Sequence, residues 1–507
     1  MAHSFSTEGV AVGSAPSQPT VGLRQVRAAI SWLERQALFV AGLAVVAAVI
    51  LGKAPAHLNQ DGWLALVDGR YVAQHGIPQH DTLAVLTRGT HWIDQQWLAQ
   101  LTIYGLDRVG GLALYSIVYV GLTVGSFALA IAASRRLGGS ERHVVWVLPL
   151  AAFLYFADSF QIRTQGFAYP LFVGTLWLLA ADLRAPSRRV YLVFPVLVLW
   201  GNLHGSASLG AGLLVLYGVS LLAEGFRRRR PWRTQLKGVA FLLAAPLCLL
   251  VTPYGISGFS YYQDTLLNPA FKALLVEWQP VTSTPILAVP FFVAALATVW
   301  VLGFSRGRAR LFDALTLLVL IAGAISAVRN VTWFALAAAV LIPSTLSATL
   351  PPLPSPPRRR QMNLALVSLT LAVLALSAAA VASKPSSWFE GGYDARALEK
   401  VLSSANHNRG LRIFADGRYA DWLLWREPLL AGRVAYDSRL ELLSAGQLHD
   451  LAAIAEVRAP GARTVLAGYR LLVLDTTSKA SSLLLEQPAI HVILRGRDVA
   501  VATRSGR

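Results

Sequence analysis

The feature that most restricts this chain is a series of about eleven apolar runs, each near the length a helix needs to cross a bilayer, joined by short connections of two chemical kinds. The runs cover residues 36–53, 112–133, 143–157, 166–182, 189–201, 206–223, 237–252, 286–304, 311–327, 331–349 and 361–383. With the N-terminus placed in the cytoplasm, every second connection falls on that side. These read SRRLGGSER, RAPSRR, EGFRRRRPWR, SRGRAR and PPLPSPPRRR, and all are basic. One missed or invented span would scatter basic clusters over both faces, so the whole series agrees with the positive-inside rule.

Only 14% of the 507 residues are charged and 55% are hydrophobic, whereas roughly a quarter of a soluble domain is charged. The formal net charge of +18 comes with basic residues set in short clusters between the apolar runs, which argues against a nucleic-acid partner. Arg227–Arg230 and Arg358–Arg360 read as topology determinants that also attract anionic membrane lipids. Cys248 is the only cysteine, so no internal disulfide is possible. Residues 1–30 are expected to form a disordered cytoplasmic leader rich in Ser, Gly and Pro. The APA at Ala54–Ala56 invites a signal-peptide reading, but the polar leader is too long for one, and the first run is read as a retained anchor.

The expected architecture is an all-α polytopic membrane bundle over 31–383, with a first outer loop over 54–111 and a small α/β extracytoplasmic domain over 384–507. Within this tail LRIFAD, RVAYDS, LLVLDTT and HVILRGRDVAVAT read as strands, and SAGQLHDLAAIAEVRA as a helix. No Gly-rich phosphate loop follows any of these strands. In the first loop, Trp63, Leu64, Leu66, Val67 and Tyr71 recur with near-helical spacing, as do Trp97, Leu98, Leu101, Tyr104 and Leu106. Both sets predict amphipathic helices on the membrane surface.

The connections opposite the basic ones carry a varied polar set: Asp61, His80 and Asp81, then Arg163 and Gln165, Asn202 and His204, Tyr254, Glu277 and Trp278, and Arg329. An ionisable group at a helix centre in the membrane costs about 2.5–3.5 kcal/mol on insertion scales. Such groups gathered near span ends on one face argue for one convergent site.

Their order resembles the polytopic glycosyltransferases of the C fold, which include protein O-mannosyltransferases and lipid A aminoarabinose transferases. The matching stretches are Asp61–Trp63, Gly76–Asp81, Arg163–Gln165, Asn202–Gly205, Pro253–Gly255 and Glu277 with Trp278. The resemblance implies a bacterial plasma-membrane enzyme that takes sugar from a polyprenyl phosphate, inverts the anomeric carbon and delivers it to a glycan, lipid or protein acceptor. It implies that Asp61 is the first-loop acid, acting on the acceptor hydroxyl alone or with Asp81, while an arginine meets the departing phosphate. Gly62 stands where the O-mannosyltransferase branch has a second acid, which sets this chain apart from protein mannosyl transfer.

Each residue also has a plainer reading. Asp61 fits an N-cap, Asp81 with His80 an Asx turn after Pro78, and Arg163 and Arg329 side chains that snorkel to headgroups. His204 reads as a packed histidine among small residues, and Trp278 beside Glu277 as an interfacial tryptophan. Asp68 and Asp94 read as solvated. A divalent metal on Asp61, His80, Asp81 and His204 requires the fold to bring them together. A transporter of lipid-linked glycans and a non-catalytic envelope scaffold stand as rival functions, although the polar groups gather at one face and no inverted repeat is evident.

Overall fold

The computed structural model describes residues 25, 30–31, 33–227, 231–266, 275–305, 307–351, 359–455 and 466–505. The leader over 1–24 and parts of both arginine tracts, at 228–230 and 358, lie outside them. Each apolar run is helical, and the chain is an integral membrane protein. The elements in chain order are α1 (Ala37–Gly52), α2 (Gln60–His75), α3 (Trp97–Arg136), α4 (Glu141–Asp158), α5 (Ala168–Arg184), α6 (Val193–Leu203) and α7 (Ala207–Arg227). There follow α8 (Trp232–Leu249), α9 (Gly258–Leu266), α10 (Pro285–Phe304), α11 (Leu311–Ser326), α12 (Val331–Thr349) and α13 (Arg360–Ala382). Six segments among the described residues are long and apolar enough to cross a membrane, and α1 and α11 are shorter apolar helices.

The two surface helices of the first loop are present as α2 and the front half of α3. Helix α3 breaks at Gly110 and Gly111, the latter at φ 65°, a left-handed conformation that only glycine adopts readily. The break separates an amphipathic segment from the span that begins at Leu112, as the change from mixed to apolar sequence requires. Helix α12 is the axis of the bundle. It is almost wholly buried, and its Trp333 packs among Tyr169, Phe172 and Trp200 at ring separations of 5.4, 5.2 and 6.2 Å. Large apolar side chains such as Leu243, Leu296, Trp300, Leu369 and Leu376 stay exposed on the perimeter, where lipid is the solvent that suits them.

The two kinds of connection separate to opposite ends. At one end the basic connections are held by Arg184 to Asp313 at 2.8 Å, Lys237 to Asp182 at 2.8 Å and Arg310 to the Leu183 carbonyl at 2.7 Å. At the other lie α2, the front of α3, and the tail.

The tail contains α14 (Ala395–His407), α15 (Gly417–Arg426), α16 (Ala445–Ala455) and α17 (Lys479–Leu485), with β1 (Ile413–Ala415), β2 (Leu471–Asp475), β3 (Ile490–Arg495) and β4 (Val499–Arg504). The sheet order is β1-β2-β4-β3, with β1 parallel to β2 and the other pairs antiparallel. Alternation along β2 sends Leu471 and Val473 into the core shared with the bundle, and Leu472 and Leu474 into a second core under α16 and α17. The expected strand at RVAYDS is instead an extended strap. Val434 bridges Ile413 on one side and Ala84 of the first loop on the other. Hydrogen bonds from Val85 to Val434 and from Leu86 to Ala435, at 2.8 and 2.9 Å, continue the pairing. Loop and tail are therefore one layer over the end of the bundle.

Candidate functional site

That layer encloses a cavity of about 750 Å³. Its floor comes from span ends and connections, one wall from α2 and the 92–100 stretch, and its roof from Tyr436, Asp437, Ser438, Arg439 and Glu441 of the tail.

At the floor three connections meet. Arg163, just before α5, is almost fully buried, and its Nη1 lies 3.1 Å from Glu277 and 3.5 Å from Asp61. The other Glu277 oxygen is 3.3 Å from Arg329, whose guanidinium stacks 4.5 Å above the Trp278 ring. Arg329 stands at the start of the rigid axial helix α12 and Arg163 at the start of α5, so both cations are carried by anchored backbone. Two carboxylates and two guanidinium groups form a chain of alternating charge along the cavity floor.

The environment tunes these groups. Burial pushes the Asp61 carboxyl up, against the pull of Arg163, although 47% of its side chain remains open to the cavity. Burial also acts upward on Glu277, but Arg329 and Arg163 together outweigh it and bring that carboxyl down to about 2. His204 is pulled down to about 3, by burial first and then by the two arginines. It is held neutral, its Nδ1 accepting from the Ser206 N–H at 3.0 Å. Gln165 lies buried in the lining beside Arg163.

Seven residues singled out from the sequence therefore meet in this cavity: Asp61, Arg163, Gln165, His204, Glu277, Trp278 and Arg329. Asp61 is not the N-cap of α2. Asn59 occupies that position, and neither makes a side-chain cap bond. The carboxylate turns to Arg163 instead.

The other four do not line the cavity. Asp81 is fully buried and accepts from Arg439 at 2.8 Å, Thr87 at 2.6 Å, and the N–H groups of Leu83 and Ala84 at 3.0 and 3.3 Å. This corrects the expectation of a second cavity acid: all its oxygens are committed to joining first loop and tail, as its Asx-turn reading has it. His80 is exposed and bridges His91. Asn202 accepts from Trp97 at 3.0 Å and donates to the Val198 and Val251 carbonyls at 2.9 and 2.8 Å, tying α3 to the bundle. Tyr254 donates to the Pro78 carbonyl at 3.1 Å, holding the loop from below. The four groups considered as metal ligands do not converge, and no cluster of three or more His, Cys, Asp or Glu stands ready for a metal among the described residues.

Two further corrections concern Asp68 and Asp94. Both are buried and face the cavity. The tail packs on the face of α2 that reads in sequence as turned to the membrane: Arg70 donates to the Leu424 and Trp425 carbonyls at 2.6 and 2.9 Å, and Trp63 packs on Trp425 at 4.7 Å.

Gly62 also has a physical reason. A Cβ there would sit 2.5 Å from the Ile162 carbonyl oxygen, and Ile162 in turn donates to the His57 carbonyl at 2.9 Å. A second acid has no room beside Asp61 while α2 presses against the segment that carries Arg163.

Among solved structures the chain is similar to the arabinofuranosyltransferase AftD from Mycobacteria, at 16% identity and a TM-score of 0.49, over 92% of this chain and 40% of that one. It spans two fifths of that protein's length. It is also similar to ArnT from Cupriavidus metallidurans in the apo state, at 13% identity and a TM-score of 0.48, over 94% of this chain and 98% of that one. For the same protein bound to undecaprenyl phosphate the identity is 13% and the TM-score 0.47, over 92% and 97% of the two chains. No family model matches the chain, and no curated protein matches it.

Proposed function

We propose that this protein is an inverting membrane glycosyltransferase that takes a sugar from a polyprenyl phosphate and passes it to an envelope glycan, lipid or protein. The observation that carries the reading is the chain Asp61, Arg163, Glu277, Arg329 on the floor of one cavity at the end of a membrane bundle. In this reading the lipid tail lies among the spans and its phosphate meets Arg329 and Arg163. A guanidinium is always charged and grips two phosphate oxygens at once, so it stabilises the charge that grows as the glycosyl bond breaks.

Asp61 takes the proton from the acceptor hydroxyl. Its raised pKa makes it a stronger base than an exposed aspartate. A positioned general base contributes about 100- to 10,000-fold. Neutral His204 adds no charge to the floor and offers a hydrogen bond to a phosphate or sugar oxygen. The cavity end faces the extracytoplasmic side, with the N-terminus in the cytoplasm, because the opposite end gathers the basic connections. The first-loop layer and the tail then form the extracytoplasmic part of the molecule, on a bundle over 31–383.

The test is sugar transfer in membranes containing this protein, with a panel of labelled polyprenyl-phosphate sugars and Asp61→Asn at matched expression. Transfer from one donor that needs Asp61 is the expected result. Transfer unaffected by Asp61→Asn in a folded protein contradicts the assignment of the base.

A further inference from the structure

Helix α2 repeats one device. Asp61-Gly62 and Asp68-Gly69 are seven residues apart, two turns or about 10 Å along one face. At Gly69 a Cβ would sit 2.1 Å from the Gln100 carbonyl oxygen, much as Gly62 meets Ile162. Each glycine lets α2 close onto a neighbouring backbone, and each aspartate beside it lines the cavity.

Around Asp68 the lining has polar atoms without protein partners. They are Asp68 Oδ1, both polar atoms of the Gln95 amide and Gln100 Oε1, on side chains of residues no more than 4% exposed. Their other contacts hold them in place: Gln100 donates to Asp68 Oδ2 at 3.2 Å, and Asp94 Oδ1, next to Gln95, accepts from the Gln96 N–H at 3.0 Å. Buried polar atoms left unpaired are costly and call for a partner. Tyr262 on α9 lines the same cavity with an unpaired hydroxyl.

We infer that this wall, Asp68, Asp94, Gln95 and Gln100, binds the hydroxyl groups of the sugar ring carried by the donor. The inference rests on the glycosyltransferase reading and adds where the ring lies. A lipid tail has no use for so many polar atoms. A sugar offers closely set hydroxyls that each donate and accept, which carboxyl and amide groups match. Burial pushes both carboxyls up, Asp94 to about 7, and a protonated carboxyl can itself donate as well as accept. The donor ring is joined to the phosphate held at Arg163 and Arg329, so it must occupy this cavity, and these atoms of its wall have bonding capacity to spare.

The experiment measures binding to the full-length protein in nanodiscs, using undecaprenyl phosphate and its glucosyl, mannosyl, galactosyl and arabinosyl derivatives, for wild type, Asp68→Ala and Asp94→Ala. The expected result is that one glycosylated lipid binds wild type about tenfold more tightly than undecaprenyl phosphate, and that each variant removes this gain while keeping the bare-lipid affinity within about twofold. Gln95→Ala leaves both carboxyls in place and serves where an aspartate variant does not fold; it is expected to lower the same ratio. A ratio unchanged in these variants, or no gain from any sugar in wild type, overturns the inference alone. A wild-type protein that binds neither bare nor glycosylated lipid overturns the polyprenyl-phosphate reading beneath it.

Discussion

Arg439 and Arg163 are each gripped by two carboxylates, and they differ chiefly in what surrounds them. Arg439 sits between Asp81 and Asp437 with all three side chains 3% exposed or less. Arg163 sits between Asp61 and Glu277, but there the carboxylates are 47% and 31% exposed, into the cavity. The sealed assembly has the Trp92 ring 4.1 Å from its guanidinium, and both its carboxylates are buried. The open one leaves acid and base faces available to a substrate. The same residue types thus serve as a rivet in one place and as a reactive surface in the other, and access to the cavity decides which.

The largest expected effect is at the open assembly. Asp61→Asn should lower transfer by about 100- to 10,000-fold and leave the unfolding midpoint nearly unchanged, which paired activity and thermal-melt measurements check. Next comes the sealed assembly. Asp81→Ala strands part of a buried charge network, at a cost of about 3–5 kcal/mol, read by denaturant unfolding of the purified protein.

Two smaller effects follow from pH and have opposite signs. Asp94 has its folded pKa raised from 3.8 to about 7, so the folded state holds the proton longer than the unfolded chain and stability falls as pH rises through that window. Asp94→Asn keeps an oxygen for the Gln96 N–H and should raise Tm by an amount that grows between about pH 4 and about pH 8. Glu277 has its folded pKa lowered from 4.5 to about 2. Its stabilising contribution is present above its ordinary value and is lost as pH falls through the folded one. Melting curves of Glu277→Gln should therefore show a weaker acid-side decline than wild type, the smallest of the four effects.

The bundle was readable because hydropathy and basic connections act locally: each apolar run is helical, and the mixed-to-apolar change at Gly110–Gly111 marks a real break. The floor of the cavity was readable for a related reason, since Arg163, Glu277 and Arg329 are polar groups at span ends, where isolated charge needs an explanation. What lies in the roof was not readable. Asp81 and Arg439 are 358 residues apart, and nothing near Asp81 in sequence distinguishes a buried anchor from a catalytic acid. Asp68 and Asp94 were misread as solvated because their cover comes from the distant tail. The one local sign was the repeated Asp-Gly at a spacing of seven, whose meaning depends on which backbones press against the glycines.

The most direct test of this account sets Asp61→Asn against Asp81→Asn in one preparation, with sugar transfer and unfolding midpoint measured on both. The account predicts a crossed result, in which Asp61→Asn loses transfer and keeps its midpoint while Asp81→Asn loses midpoint and keeps transfer per folded molecule. An Asp81→Asn protein that stays fully stable but stops transferring, beside an active Asp61→Asn, would contradict it.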